Sequence, residues 1–196
     1  MPAAVNNPDE LAFRFVSGHR ALDLVSTLGD RHRQPVERLR EAADLDRWLA
    51  AAALAADEQA TAPDVADARG LRETVNRLAR AVLADEQAAA EDVDGLNRWA
   101  RRPPLAPQLD ASLERRWAAE RPVRAALALI AREAVELLTS AERTLIRECA
   151  AAPNCSLLYL DRSRARRRRW CEMDRCGSRA KMATYRRRQR SSAAPR

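Results

Sequence analysis

Aromatic residues are scarce in this chain of 196 residues: four tryptophans, two tyrosines and two phenylalanines make up 4% of it. Any core must therefore rest on aliphatic side chains and alanine. Glycine is scarcer still, with five residues, while alanine abounds, a balance that favours helices over strands. Lysine is nearly absent, Lys181 being the only one. Arginine codons are GC-rich, so the preference for arginine says little about function; where the arginines cluster says more. The first 20 residues, with Asp9, Glu10, Arg14 and Arg20, hold no apolar stretch of signal-peptide length, and the apolar run at 49–56 is too short for a membrane span. These absences predict a cytoplasmic protein with no membrane partner, in which thiols stay reduced. Also missing are a nucleophile motif, a glycine-rich phosphate loop and a histidine-carboxylate cluster, so the sequence does not read as an enzyme. His19 and His32, the only histidines, read as ordinary surface or core residues.

What is present divides unevenly. Apolar residues form 46% of the chain, enough for a real core, and 196 residues suit one domain of ordinary size, or one domain plus a small appendage. Residues 156–196 carry 14 basic side chains against Asp161, Glu172 and Asp174, a net of +11, whereas residues 1–155 carry a net of −4. A mildly acidic body joined to a strongly basic end is the charge footprint of a nucleic-acid-binding tail.

The expected fold class is mainly α. Residues 1–10 read as a loose start, and Phe13 and Phe15 alternate as in a short strand. Segment 22–28 fits helix or strand equally, and 30–34 reads as a loop. Helices are predicted over 41–56 (Leu45, Trp48, Leu49 and Ala52 at helical spacing), from Pro63 onward (Val65, Ala68, Leu71, Val75, Leu78, Val82), over 91–101, and over 123–138 as the longest (Val123, Leu127, Ile130, Ala134, Leu137). Pro103, Pro104 and Pro107 exclude a helix, and 109–117 reads as a hairpin. A further helix capped by Thr139 or Ser140 would deliver Cys149. Trp48, Trp99 and Trp117 are core candidates, and Asp23 with Arg20 a surface pair.

All four cysteines fall in the last quarter: Cys149, Cys155, Cys171 and Cys176, spaced C-x5-C, 15 residues, C-x4-C. Two close pairs separated by a longer stretch are how a chain builds a tetrahedral four-thiolate zinc site with no open position for catalysis. The reading is one structural Zn²⁺, with a hairpin between the pairs and a helix after Cys176 that Asp174 could cap, which together describe a treble-clef-like finger. A segment so charged and so poor in apolar residues needs the metal in order to fold.

The stretch Arg169-Trp170-Cys171 through Cys176-Gly177-Ser178-Arg179-Ala180-Lys181, with Leu158–Ser163 and the arginine run before Trp170, resembles the CGNR zinc finger family. Phe13–Val16 and Leu22–Thr27 resemble the ABATE domain that usually precedes this finger. Ser178 stands where the family has its name-giving asparagine, and the first cysteine pair is one residue wider than the usual form. The resemblance implies a stress-induced transcription regulator: a helical ABATE-like domain over 1–140 for sensing or dimerisation, a CGNR-type finger over 141–190 and a disordered tail over 191–196.

Two basic clusters flank the second cysteine pair. Arg164, Arg166, Arg167, Arg168 and Arg169 precede it; Arg179, Lys181, Arg186, Arg187 and Arg190 follow on the final helix, where Arg179, Arg186 and Arg190 project alike. Arginine suits both phosphate and guanine recognition, so the helix is expected to enter a DNA groove with the other cluster on phosphates. Met182 and Tyr185 are expected to pack on the hairpin, and Trp170 beside the zinc. Arg179→Ala should lower DNA affinity more than Arg72→Ala. The alternatives are an RNA-binding finger and a zinc-stapled protein-interaction module. A homodimer is compatible with the body, and no effector residues can be named in it.

Overall fold

The computed structural model describes residues 11–54 and 58–192. Six α-helices are present among them: α1 (Arg20–Val25), α2 (Ala42–Ala51), α3 (Ala62–Ala84), α4 (Ala90–Ala100), α5 (Pro122–Thr139) and α6 (Ser178–Ser192). Three short antiparallel hairpins interleave with them: β1–β2 (Leu28–Gly29, Val36–Glu37), β3–β4 (Ala106–Leu109, Arg115–Ala118) and β5–β6 (Ile146–Glu148, Leu158–Leu160). The expected class, a mainly helical body followed by a small hairpin-plus-helix finger, is the observed one.

The longest helix is α3, not α5. Pro63 sits in its first turn, where a missing N–H is harmless, and Thr61 caps it in a reciprocal box with Asp64. Its stripe of Val65, Ala68, Leu71, Val75 and Leu78 packs on α5, whose Val123, Leu127, Ile130, Ala134 and Leu137 are buried. Helix α1 lies against both and is buried along nearly all its length. Trp48 closes the core from α2 at 1% exposure, with Phe15 stacked on it at 5.8 Å. Trp99 and Trp117 pack at its edge, and the indole N–H of Trp117 donates to the Ala53 carbonyl at 2.7 Å.

Four local expectations need correction. Residues 13–16 form no strand; the N-terminal β element is the β1–β2 hairpin, whose strands flank the stretch 30–34 read as loop. Helix α2 stops at Ala51 because Ala53 turns left-handed (φ 57°) and Leu54 N–H closes back on the Leu49 carbonyl, which buries Leu54. Residues 55 and 56, also expected in that helix, lie outside the described residues, as do residues 1–10. Ser140 does cap, but it caps a single 3₁₀ turn, Ala141–Leu145, after which the chain enters strand β5. Finally, Asp23 is no surface partner of Arg20, which pairs with Glu133 instead.

Asp23 is buried at the start of α1 and accepts hydrogen bonds from the N–H and hydroxyl of Ser17. Burial pushes its carboxyl up to about 6 against the bonds from Ser17. A folded value above the unfolded one, about 3.9, means that the protonated form is the favoured one in the fold. Its contribution is fully present below about pH 4 and is lost as pH rises through about 6. The wild type should therefore lose up to about 2–3 kcal/mol relative to Asp23→Asn between those limits, as read by urea unfolding at a series of pH values.

Candidate metal centre

Strand β5 ends at Cys149, whose N–H donates to the Leu157 carbonyl at 3.0 Å and so extends the β5–β6 ladder by one rung. The loop from Cys149 to Cys155 is thus the tip of this hairpin. The hairpin spans the first cysteine pair, where the sequence reading placed it between the two pairs. Its faces divide the work. Ile146, Leu158 and Leu160 join the helical core, while Leu157 and Tyr159 turn toward the cysteines. The chain then returns through a loop to Cys171, held where Ala150 N–H meets the Arg169 carbonyl at 2.8 Å. Cys176 follows on a wide turn, Met173–Gly177, that runs directly into α6. Asp174 lies within that turn and does not cap the helix.

The four cysteines are buried, at 0–5% exposure, and their sulfurs lie within 4.8 Å of one another. Sulfurs arranged tetrahedrally about zinc at about 2.3 Å stand about 3.8 Å apart. The Cys155–Cys171 and Cys171–Cys176 separations are 3.8 and 3.6 Å. A disulfide needs about 2.0 Å, and all four thiols are free. Hydrogen bonds from Cys155, Cys171 and Cys176 drive the Cys149 thiol far below its usual range, and contacts with Cys149, Cys155 and Cys176 push Cys171 far above it. Four thiolates cannot share so small a space without a cation; a divalent ion with tetrahedral preference removes the conflict. The donor set therefore fits one structural zinc.

The body grips this cage directly. Arg14 donates to Cys171 Sγ at 3.8 Å and pairs with Glu172 at 2.6 Å, Val16 packs on the cluster, and the Ser17 carbonyl accepts from Leu160 N–H at 2.8 Å. On the other side Arg31 N–H reaches Ser156 Oγ, and Glu148 is shared between His32 and Arg80, each at 2.9 Å. This strap could not be read from sequence, because Phe-Arg-Phe-Val reads equally as a strand.

The arginine loop after β6 is organised by Asp161, which accepts from Ser163 N–H, Ser163 Oγ and Arg168 N–H. An Asp-x-Ser turn is a legible signal that charge counting overlooked. Arg164, Arg166, Arg167, Arg168 and Arg169 are all exposed. Arg168 is nonetheless structural: its guanidinium lies 4.7 Å over the Tyr159 ring and donates to the Trp170 and Cys171 carbonyls. Tyr159, its phenol pushed up to about 12 by burial, donates in turn to the Arg168 carbonyl at 2.6 Å. Arg179, Lys181 and Arg186 are exposed on α6; the side chains of Arg187 and Arg190 lie outside the described residues. Met182 and Tyr185, expected to pack on the hairpin, are exposed at 51% and 58%, whereas Trp170 does pack beside the cysteines.

A family model described as "Putative stress-induced transcription regulator" (ABATE) matches residues 18–141, more than half of the chain. The chain belongs to the ABATE family. A second model, the CGNR zinc finger, matches residues 146–189, which hold every cysteine. Both families are of regulator and zinc-finger type. No curated protein matches the chain at a significant level. Among the described residues of this ABATE protein, no helix is long and apolar enough to cross a membrane.

Proposed function

We propose that this ABATE protein is a zinc-dependent DNA-binding transcription regulator of the cytoplasm. In this reading Cys149, Cys155, Cys171 and Cys176 are the zinc ligands, and the metal supplies a fixed scaffold and no chemistry. The helical body over 1–140 serves sensing or dimerisation, and the finger over 141–190 carries the nucleic-acid surface. One observation carries the proposal. Arg164, Arg166, Arg167, Arg169, Arg179, Lys181 and Arg186 are exposed, and none is in an ion pair among the described residues. Body arginines such as Arg14, Arg72, Arg77 and Arg80 are tied to carboxylates. Uncompensated guanidiniums on a rigid mount are what phosphate recognition requires. Tyr185 and Met182 beside Arg186 add an apolar strip suited to a base edge or sugar.

Fluorescence anisotropy of the zinc-loaded chain with duplex DNA and with structured RNA, at matched salt, tests this reading. Replacing Arg164, Arg166 and Arg167 together by alanine should weaken duplex binding at least about tenfold, and the slope of log K against log salt should fall by about 0.9 for each phosphate no longer neutralised. Arg179→Ala should also weaken it. Arg72 is a poor control, being buried and bonded to Glu37 and Glu73; exposed Arg101 is the proper one. Preference for RNA would move the assignment to an RNA-binding finger. Absence of any salt-dependent affinity would favour a protein-interaction module.

A further inference from the structure

We propose that the junction of the ABATE body and the finger is a binding site for a small oxyanion such as phosphate, with Arg38 as its buried anchor. A cavity of ≈ 70 Å³ lies between the end of α1, the β1–β2 hairpin, residues 154–157 and the turn leading into α6. Arg14, Arg38, Arg175 and Arg179 line it, as do Cys155 and Cys176 of the cage, and Asp30 is the one carboxylate among the described lining residues. That volume has room for a single small tetrahedral oxyanion.

Arg38 carries the argument. It is 6% exposed, yet it joins no ion pair among the described residues. Its Nη1 donates to the Ser26 carbonyl at 3.1 Å, and its Nε is buried with no hydrogen-bond partner among the described residues. Glu37, its neighbour in sequence, is engaged by Arg72 and Arg69. A guanidinium cannot shed its proton to escape burial as an amine can, so an unpaired one needs an anion brought to it. Burial draws the Arg38 pKa down, the nearby charges of Arg14 and Arg175 add to the effect, and Asp30 and Glu37 offset it in part. The fork is given room by Gly29, where a Cβ would come within 2.5 Å of Nη1 and 2.9 Å of Nη2.

The other lining groups are consistent with this role. Arg14 is compensated by Glu172 and the Cys171 sulfur, whereas Arg175 and Arg179 have no such partner among the described residues. Ser156 also lines the cavity; its oxygen accepts from Arg31 N–H, which leaves its hydroxyl proton for a ligand oxygen. Because Arg38 belongs to the body while Arg175 and Arg179 belong to the finger, a bound anion ties the two together and fixes the base of α6. The site is thereby placed to report an anionic effector to the basic helix.

Calorimetric titration of the zinc-loaded full chain with inorganic phosphate, at constant ionic strength, tests the site. Saturable binding at one equivalent is expected. Arg38→Met should weaken it at least tenfold, and Arg175→Ala, on a partly exposed side chain, gives a second variant with the same direction should Arg38→Met fold poorly. Asp30→Asn should tighten it several-fold; its left-handed backbone (φ 47°) is one that asparagine accepts. Absence of saturable binding overturns the proposal, as does binding that none of the three substitutions moves. A duplex DNA arm separates the two sources of phosphate. Duplex affinity within twofold of wild type in Arg38→Met supports a free anion. A loss matching that for phosphate assigns the cavity to a backbone phosphate and overturns the free ligand. The phosphate titration contains no nucleic acid, so its failure would leave the DNA-binding reading standing.

Discussion

Cys171→Ser is expected to abolish stoichiometric zinc binding and to release residues 149–155 and 171–192, while the helices of the body stay folded. Cys171 is the hub of the cage. It is fully buried, its sulfur lies 3.8 Å from Cys155 and 3.6 Å from Cys176, and its N–H points at Cys149 Sγ. Zinc binding in small fingers is worth on the order of 10 kcal/mol. The apolar groups around the cage, Leu157, Tyr159, Val16, Ala151 and Trp170, are too few to replace it. The β5–β6 pairing should survive, because Ile146, Leu158 and Leu160 are anchored in the helical core. Elemental analysis would show the metal lost, and hydrogen exchange would show fast exchange confined to the cage loop and α6. Unchanged protection of α6 in a metal-free variant would show that sulfur and zinc do not order it. Collapse of α3 and α5 would show that the body cannot stand without the finger.

Arg72→Met should cost the body about 3 kcal/mol, the lower end of what breaking a buried ion pair removes. Arg72 is 3% exposed at the middle of α3. It holds Glu37 with both terminal nitrogens at 2.7 and 2.8 Å, reaches Glu73 through Nε at 2.7 Å, and touches Thr27 Oγ1. These bonds join the β1–β2 hairpin and the end of α1 to the central helix. The loss is moderated because Arg69 stays near Glu37 and Arg31 stays on Glu73, so neither carboxylate is orphaned. Arg72→Lys should recover only part of the loss, since an ammonium cannot make the two-pronged contact. Urea unfolding with an unchanged m-value would report it. A cost under about 0.5 kcal/mol would place Arg72 among ordinary surface ion pairs.

Helices α2 to α5 were legible because each presents at least three apolar positions at helical spacing, enough for the period to declare itself. The β5 and β6 strands have three residues each, too few to show any period. Leu158, Tyr159 and Leu160 are moreover all buried, the leucines against the body and the tyrosine against the cage, so no polar residue marks a solvent face. The cysteines were legible because spacing alone constrains a four-ligand metal site. The roles of individual arginines were not. Arg38 and Arg72 are buried, Arg168 is stacked and Arg167 is exposed. In a chain so rich in arginine, only the tertiary environment separates a keystone from a free charge.

The strap formed by Arg14 and Ser17, laid between the body and the cage, makes metal content and cellular abundance a single variable. A chain stripped of its ion no longer holds fixed the sulfur that Arg14 grips, so the strap slackens on the cage side as the cage loop and α6 open, while the Ser17 carbonyl keeps its bond from Leu160 N–H. Such partly opened chains are what proteases select. Metal starvation should therefore lower the steady-state amount of this protein and not merely disarm it, and a turnover measurement with and without a chelator would show a shortened half-life.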